Sequence, residues 1–240
     1  MPALLSKTEI MRDVRCCEAC DILQSGRLLY EMTLNVEQMA IDNVFRLILL
    51  AGMVLIFPPA IYWRVKSQAL GERLDRRQEG AFVMIALRLC GLAAIAALIV
   101  FVVHPPTMAW SAVPLPAWLR WTGVPFGVIS GILMIWSMAH LGRNLTDTVV
   151  TRRDHTLITS GPYRWVRHPF YTSAALAAVA NGLVSANVFI FVSGTLAFAL
   201  LVVRCRKEEE NLVERFGARY VNYARRTGRF LPRMVWPHRA

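Results

Sequence analysis

Long apolar runs govern what this chain can fold into: residues 44–63, 81–104, 119–141 and 171–203 are almost free of charge, while the segments between and after them are rich in arginine. A helix needs about 20 apolar residues to cross the roughly 30 Å hydrocarbon core of a bilayer, and the first three runs meet that length. With 55% hydrophobic residues and a mean hydropathy of +0.41 over 240 residues, an ordinary soluble domain is excluded. The fourth run is too long for one span. Asn181-Gly182 and Ser185-Ala186-Asn187 interrupt it near its middle, so it reads as a helical hairpin with arms over about 171–184 and 188–204. The expected fold class is all-α: a polytopic integral membrane protein of about five transmembrane helices, ending in that hairpin and an amphipathic cytoplasmic helix.

Loop charges orient such a bundle, because Lys and Arg near span ends stay cytoplasmic. The first loop carries Arg64, Lys66, Arg73, Arg76 and Arg77; the second, 105–118, carries no charge; the third carries Arg143, Arg152, Arg153, Arg164 and Arg167. The tail holds ten more cations, from Arg204 to Arg239. The N-terminus is therefore expected outside, and the active site and C-terminus on the cytoplasmic side. Juxtamembrane clustering also accounts for the net charge of +11 through topology and anionic headgroups, so membrane lipids and not nucleic acid are the expected partners.

Residues 1–43 form a polar segment, read as a flexible tail or, before Met32, as a start-site artefact; 44–141 hold the N-terminal spans, and 142–240 the candidate catalytic core. Cys16, Cys17 and Cys20 have a chelating spacing but no second pair nearby to complete a zinc site, and no metal is expected. Cys90 and Cys205 read as packing residues. Arg46 and Arg88, within or near spans, read as snorkelling or paired inside the bundle.

The chemistry is expected in Gly161-Pro162-Tyr163-Arg164-Trp165-Val166-Arg167-His168-Pro169-Phe170-Tyr171, where ionisable and aromatic groups crowd between apolar runs. Charges facing lipid cost about 2.5–3.5 kcal/mol each, so such a segment sits at the membrane surface or lines a cavity. Beyond the hairpin, Arg204 and Glu208 lie one helical turn apart, and Glu209 extends the acidic edge. Leu212, Phe216, Tyr220 and Tyr223 recur at helical spacing and are expected on one face of an amphipathic helix. Arg229-Phe230-Leu231-Pro232 suggests an extended return to the membrane surface.

Residues 141–232 resemble the isoprenylcysteine carboxyl methyltransferase family and the related phospholipid methyltransferases. The matching elements are Leu141-Gly142-Arg143-Asn144, Asp154-His155 with Leu157, Gly161-Pro162-Tyr163 through Arg167-His168-Pro169 and Tyr171, the pair Glu208-Glu209, Leu212, Phe216-Gly217, Tyr220 and Tyr223. The resemblance implies S-adenosylmethionine as methyl donor, without a soluble Rossmann domain. It implies Tyr163, Arg167, His168, Pro169, Tyr171, Glu209 and Tyr220 as cofactor-pocket residues and Glu208 or Glu209 as the carboxylate that contacts the cofactor. Arg204 is the candidate for orienting an acceptor carboxylate, with Arg206 and Arg229 behind it. A lipophilic or prenylated acceptor would enter from the bilayer; Ala174, Ala175, Ala177, Ala178 and Ala180 either border such a gap or pack the helices, packing being the favoured reading. Were the acceptor a phospholipid amine, Glu208 or His168 could take its proton. Sterol-reductase relatives share an Arg-His-Pro region and use a nicotinamide cofactor, but the downstream Glu208-Glu209, Phe216-Gly217, Tyr220 and Tyr223 favour the methyltransferase over that oxidoreductase. A non-catalytic scaffold is the remaining alternative.

Overall fold

With no water inside a bilayer to satisfy backbone groups, apolar runs of this length fold as helices, which close every hydrogen bond within the segment. The computed structural model describes residues 7–68, 81–142 and 156–233, and all regular structure among them is helical. Six α-helices follow in order: α1 (Lys7–Gln68), α2 (Ala81–Val103), α3 (Ala117–Leu141), α4 (Pro169–Ser185), α5 (Val188–Phe216) and α6 (Ala218–Arg226), with short 3-10 turns at Pro105–Ser111 and Gly161–Arg164. Segments in α1, α2, α3 and α5 are long and apolar enough to cross a membrane, and the chain is an integral membrane protein. At 17 residues α4 is the short arm of the hairpin, about 25 Å long at 1.5 Å per residue.

Two compact units divide the chain, Met1–Val44 and Phe45–Ala240. The first is helical from Lys7; the side chains of Cys16, Cys17 and Cys20 lie outside the described residues, as do Arg73, Arg76, Arg77, Arg143, Asn144, Arg152, Arg153, Asp154 and His155.

In the second unit α4 packs against α3 and α5, and α2 against α5. Small residues bring the helices close. A Cβ on Gly123 would stand 2.9 Å from side-chain atoms of Leu183 and Val184, and one on Gly182 2.7 Å from the Phe191 side chain. Ala178 lies against Gly194 and Ala180 against Gly123 and Gly127, so these two alanines pack helices. Polar ties sit where lipid cannot compete. Ser130 Oγ donates to the Ser173 carbonyl at 2.7 Å, and the buried Arg120 donates from Nε and Nη2 to the Val184 carbonyl at 3.1 and 3.0 Å, with its guanidinium 4.1 Å above the Phe45 ring. Arg46 Nη2 likewise donates to the Val102 carbonyl at 2.7 Å, a partner inside the bundle.

The hairpin turn forms where its sequence predicts. Ala186 adopts a left-handed conformation (φ 50°) that closes α4. Asn187 caps α5 by accepting from Ile190 N at 3.1 Å, while its Nδ2 donates to the Met108 carbonyl (3.1 Å) and to Ser111 Oγ (2.8 Å). The turn is thereby pinned to the uncharged connection between α2 and α3. That places the two on one side of the bundle and leaves the motif segment and α6 at the other end, as alternating spans require.

Candidate functional site

Pro169 opens α4, and His168 stands immediately before it at the N-cap. Pro at the first helical position costs nothing, since its missing N–H would have had no partner there. Gly161 begins the preceding turn at φ 60°, where a Cβ would collide with the His140 ring, so only glycine fits. Tyr163, Val166, His168, Pro169 and Tyr171 are buried, while Arg164 and Trp165 face outward.

The tail after α6 closes over this segment. Arg167 N donates to the Gly228 carbonyl (2.8 Å), Gly228 N to the Trp165 carbonyl (3.2 Å) and His168 N to the Arg229 carbonyl (3.0 Å). Thr172 Oγ1 donates to the Phe230 carbonyl at 2.6 Å, and Tyr223 Oη to the Tyr163 carbonyl at 2.6 Å. The tail does return, but residues 229–231 are bent and not extended, and they fold onto the motif segment.

Glu209 joins the pieces. Its Oε1 accepts from Arg167 Nε at 2.9 Å and lies 3.3 Å from His168 Nε2; its Oε2 accepts from Arg229 Nη2. Arg167 is further fixed by donating from Nη1 to the carbonyls of Ala224 (2.7 Å) and Thr227 (2.6 Å). One carboxylate thus ties α5 to the motif segment and the tail.

Glu208 faces elsewhere. Its Oε2 accepts from Tyr171 Oη at 2.6 Å, and the Tyr171 ring stacks on His168 with centroids 5.2 Å apart. The charges of Glu208 and Arg204 both bear on Tyr171. Burial, helped by the Glu208 charge, holds the Tyr163 hydroxyl well above the usual tyrosine range; burial pushes Tyr223 up to about 12 and Tyr220 up strongly. These phenols are neutral donors at any physiological pH. The Tyr220 hydroxyl is buried with no hydrogen-bond partner among the described residues.

One expectation needs correction. Leu212 and Phe216 lie on α5 and Tyr220 and Tyr223 on α6, because Gly217 adopts φ 52° and breaks the helix between them. A family signature, Phe216-Gly217, carried the signal for that break, since glycine at positive φ ends helices. Sequence reasoning also missed Cys205, whose sulfur lies within 4.8 Å of ligand atoms of His168 and Glu209. It held Arg229 behind Arg204 for an acceptor carboxylate, and the structure pairs Arg229 with Glu209.

The isoprenylcysteine carboxyl methyltransferase (ICMT) family profile matches residues 123–214. The match takes in most of α3, the motif turn, α4 and nearly all of α5, so the family resemblance carried by the sequence motifs stands. The chain is 32% identical over 119 residues to the cobalt-zinc-cadmium resistance protein CzcN of Cupriavidus metallidurans, covering 48% of this chain and 55% of that protein. It is 30% identical over 126 residues to the protein-S-isoprenylcysteine O-methyltransferase of Homo sapiens (51% and 44%), and 30% identical over 122 residues to protein-S-isoprenylcysteine O-methyltransferase B of Arabidopsis thaliana (48% and 60%). The chain spans about half the length of the curated relatives it matches. A solved structure of the eukaryotic intramembrane Ras methyltransferase ICMT aligns with a TM-score of 0.48 at 20% identity, over 80% of this chain and 67% of that one.

Proposed function

We propose that this chain is an S-adenosylmethionine-dependent membrane methyltransferase that esterifies the carboxylate of an isoprenylcysteine-like or other lipophilic acceptor. The observation that carries the proposal is the division of labour between adjacent glutamates. Glu209 is engaged by Arg167, His168 and Arg229, whereas Glu208 holds, among the described residues, the phenol of Tyr171 beside aromatic faces. A donor carrying a sulfonium and a flat, hydroxylated adenosyl group suits such surroundings: a carboxylate, tyrosine faces, and the partnerless buried hydroxyl of Tyr220. Glu208 is therefore the glutamate assigned to the cofactor, and Glu209, Arg167 and His168 act by positioning the wall around it. When bound, the cofactor supplies an electrophilic methyl group.

An acceptor carboxylate with a pKa near 3.5 is already ionised at neutral pH, so no general base is needed. With the donor bound, transfer to the acceptor oxygen would be an in-line displacement with sulfur as the leaving group, and would need no proton transfer from the protein. The protein's part is to hold the two partners in line and exclude water. Arg204, one turn before Glu208 on α5, is assigned to the acceptor carboxylate, which a planar guanidinium can grip at both oxygens. The positively charged loops support a cytoplasmic location for this end of the bundle, where the cofactor is soluble, with a lipid-bearing acceptor arriving through the bilayer.

Metal tolerance is a second reading, raised by the relatives named as metal-resistance proteins and favoured by the grouping of His168, Cys205 and Glu209. Calorimetric titration of the detergent-purified chain with S-adenosylmethionine and, separately, with NADPH tests the proposal. Binding of the first alone, weakened at least tenfold by Glu208→Gln, is expected; binding of NADPH alone would replace it with a reductase, and binding of neither would favour a scaffold.

A further inference from the structure

We propose that His168, Cys205 and Glu209 form a binding site for a soft divalent cation of the zinc and cadmium class. Cys205 and Glu209 stand four residues apart on α5 and so share a face, and His168 reaches them from the start of α4. Their ligand atoms all lie within 4.8 Å of one another. Ligands bonded to zinc at its usual lengths stand roughly 3.5 Å apart, and His168 Nε2 and Glu209 Oε1 already do so at 3.3 Å. The thiol, no farther than 4.8 Å from either, closes the remainder by rotation about χ1. Thiolate and imidazole select zinc, cadmium or cobalt over magnesium or calcium, which take oxygen ligands.

A second feature points the same way. The Tyr220 hydroxyl is buried with no hydrogen-bond partner among the described residues, and the Glu209 charge bears on it. Three protein ligands leave a fourth position for water, and a metal-bound water beside Tyr220 would satisfy that hydroxyl.

Opposing charges set the terms. Arg167 and Arg229 both donate to Glu209, and Arg204 and Glu208 lie next to the trio on α5. A cation must therefore displace guanidinium from the carboxylate. Arg229 is 43% exposed and can turn to solvent, while Arg167 keeps the carbonyls of Ala224 and Thr227, so neither is left buried and unpaired. The Cys205 thiol releases its proton to solvent as the metal–sulfur bond forms, and nothing is oxidised or reduced. The site stands on this geometry and does not depend on methyl transfer.

Titration of the purified full chain with Co2+ tests it, in a background carrying Cys16→Ser, Cys17→Ser, Cys20→Ser and Cys90→Ser so that Cys205 is the sole thiol. The expected result is one Co2+ per chain with a thiolate-to-cobalt charge-transfer band, abolished by Zn2+ or Cd2+ but not by Mg2+, and absent from Cys205→Ser. Arg229→Gln, which removes a competing cation, is expected to tighten binding by roughly tenfold or more. Absence of the band in the sole-thiol protein, or an Arg229→Gln variant that binds no more tightly, would overturn the proposal.

Discussion

Replacing Glu209 by glutamine removes one charge from the point where α5, the motif segment and the tail meet. The carboxylate is 13% exposed and accepts from both Arg167 and Arg229. Breaking a buried ion pair costs about 3–5 kcal/mol when the surviving charge is stranded. Stranding is incomplete here. Arg167 retains two carbonyl partners, and Arg229, at 43% exposure, escapes to water, where its pair contributes no more than about 1 kcal/mol. A loss of about 2–3 kcal/mol follows, which for a chain of this length is a fall of roughly 5–10 °C in Tm. Tryptophan fluorescence during heating in detergent measures it, with Glu210→Gln as the comparison. Glu210 is 66% exposed and pairs with Lys207 on the same helix, and its loss is expected to cost under about 0.5 kcal/mol. Equal melting of the two variants would refute Glu209 as the junction.

Asn187→Ala removes the cap of α5 and the donations to Met108 and Ser111, and is expected to cost about 2–3 kcal/mol in the same assay, with Asn187→Asp recovering only the cap. Gly161→Ala places a methyl group in the His140 ring at a positive φ; destabilisation by more than 1 kcal/mol is expected, partly relieved by adding His140→Ala. Alkaline pH should also unfold the protein. Tyr223 ionises near 12 in the folded state but at about 10 when unfolded, so between those values the unfolded chain binds fewer protons and stability falls as pH rises. Tyr223→Phe, followed by denaturation across that window, should flatten the dependence.

Much of the skeleton was legible because its determinants are local. Apolar runs long enough to span, an uncharged loop between charged ones, and Ser185-Ala186-Asn187 inside an overlong run suffice to place the helices and the hairpin turn. Helicity before residue 44 was passed over for want of a long apolar run, although Leu29, Met32, Val36 and Met39 recur there at helical spacing. The break at Gly217 was hidden by a periodic face that reads straight through it. Within the site, residue types were legible and pairings were not. Glu208 and Glu209 are indistinguishable in sequence, and their separation into a tyrosine-bonded and an arginine-bonded glutamate depends on contacts 37 to 42 residues apart. Arg229 and Cys205 acquire their neighbours in the same way, through the return of the tail and the depth of α5.

Methyl transfer itself bears most directly on the central proposal. Membranes containing the protein would be incubated with S-adenosylmethionine labelled in its methyl group and a farnesylated cysteine acceptor, and the product treated with base. The account predicts labelled product that releases volatile methanol on base treatment, as a carboxyl methyl ester does, and its loss in Glu208→Gln and Arg204→Ala. Label that resists base would mean an amine acceptor, and no transfer to any lipophilic carboxylate, by protein shown to be folded, would contradict the account.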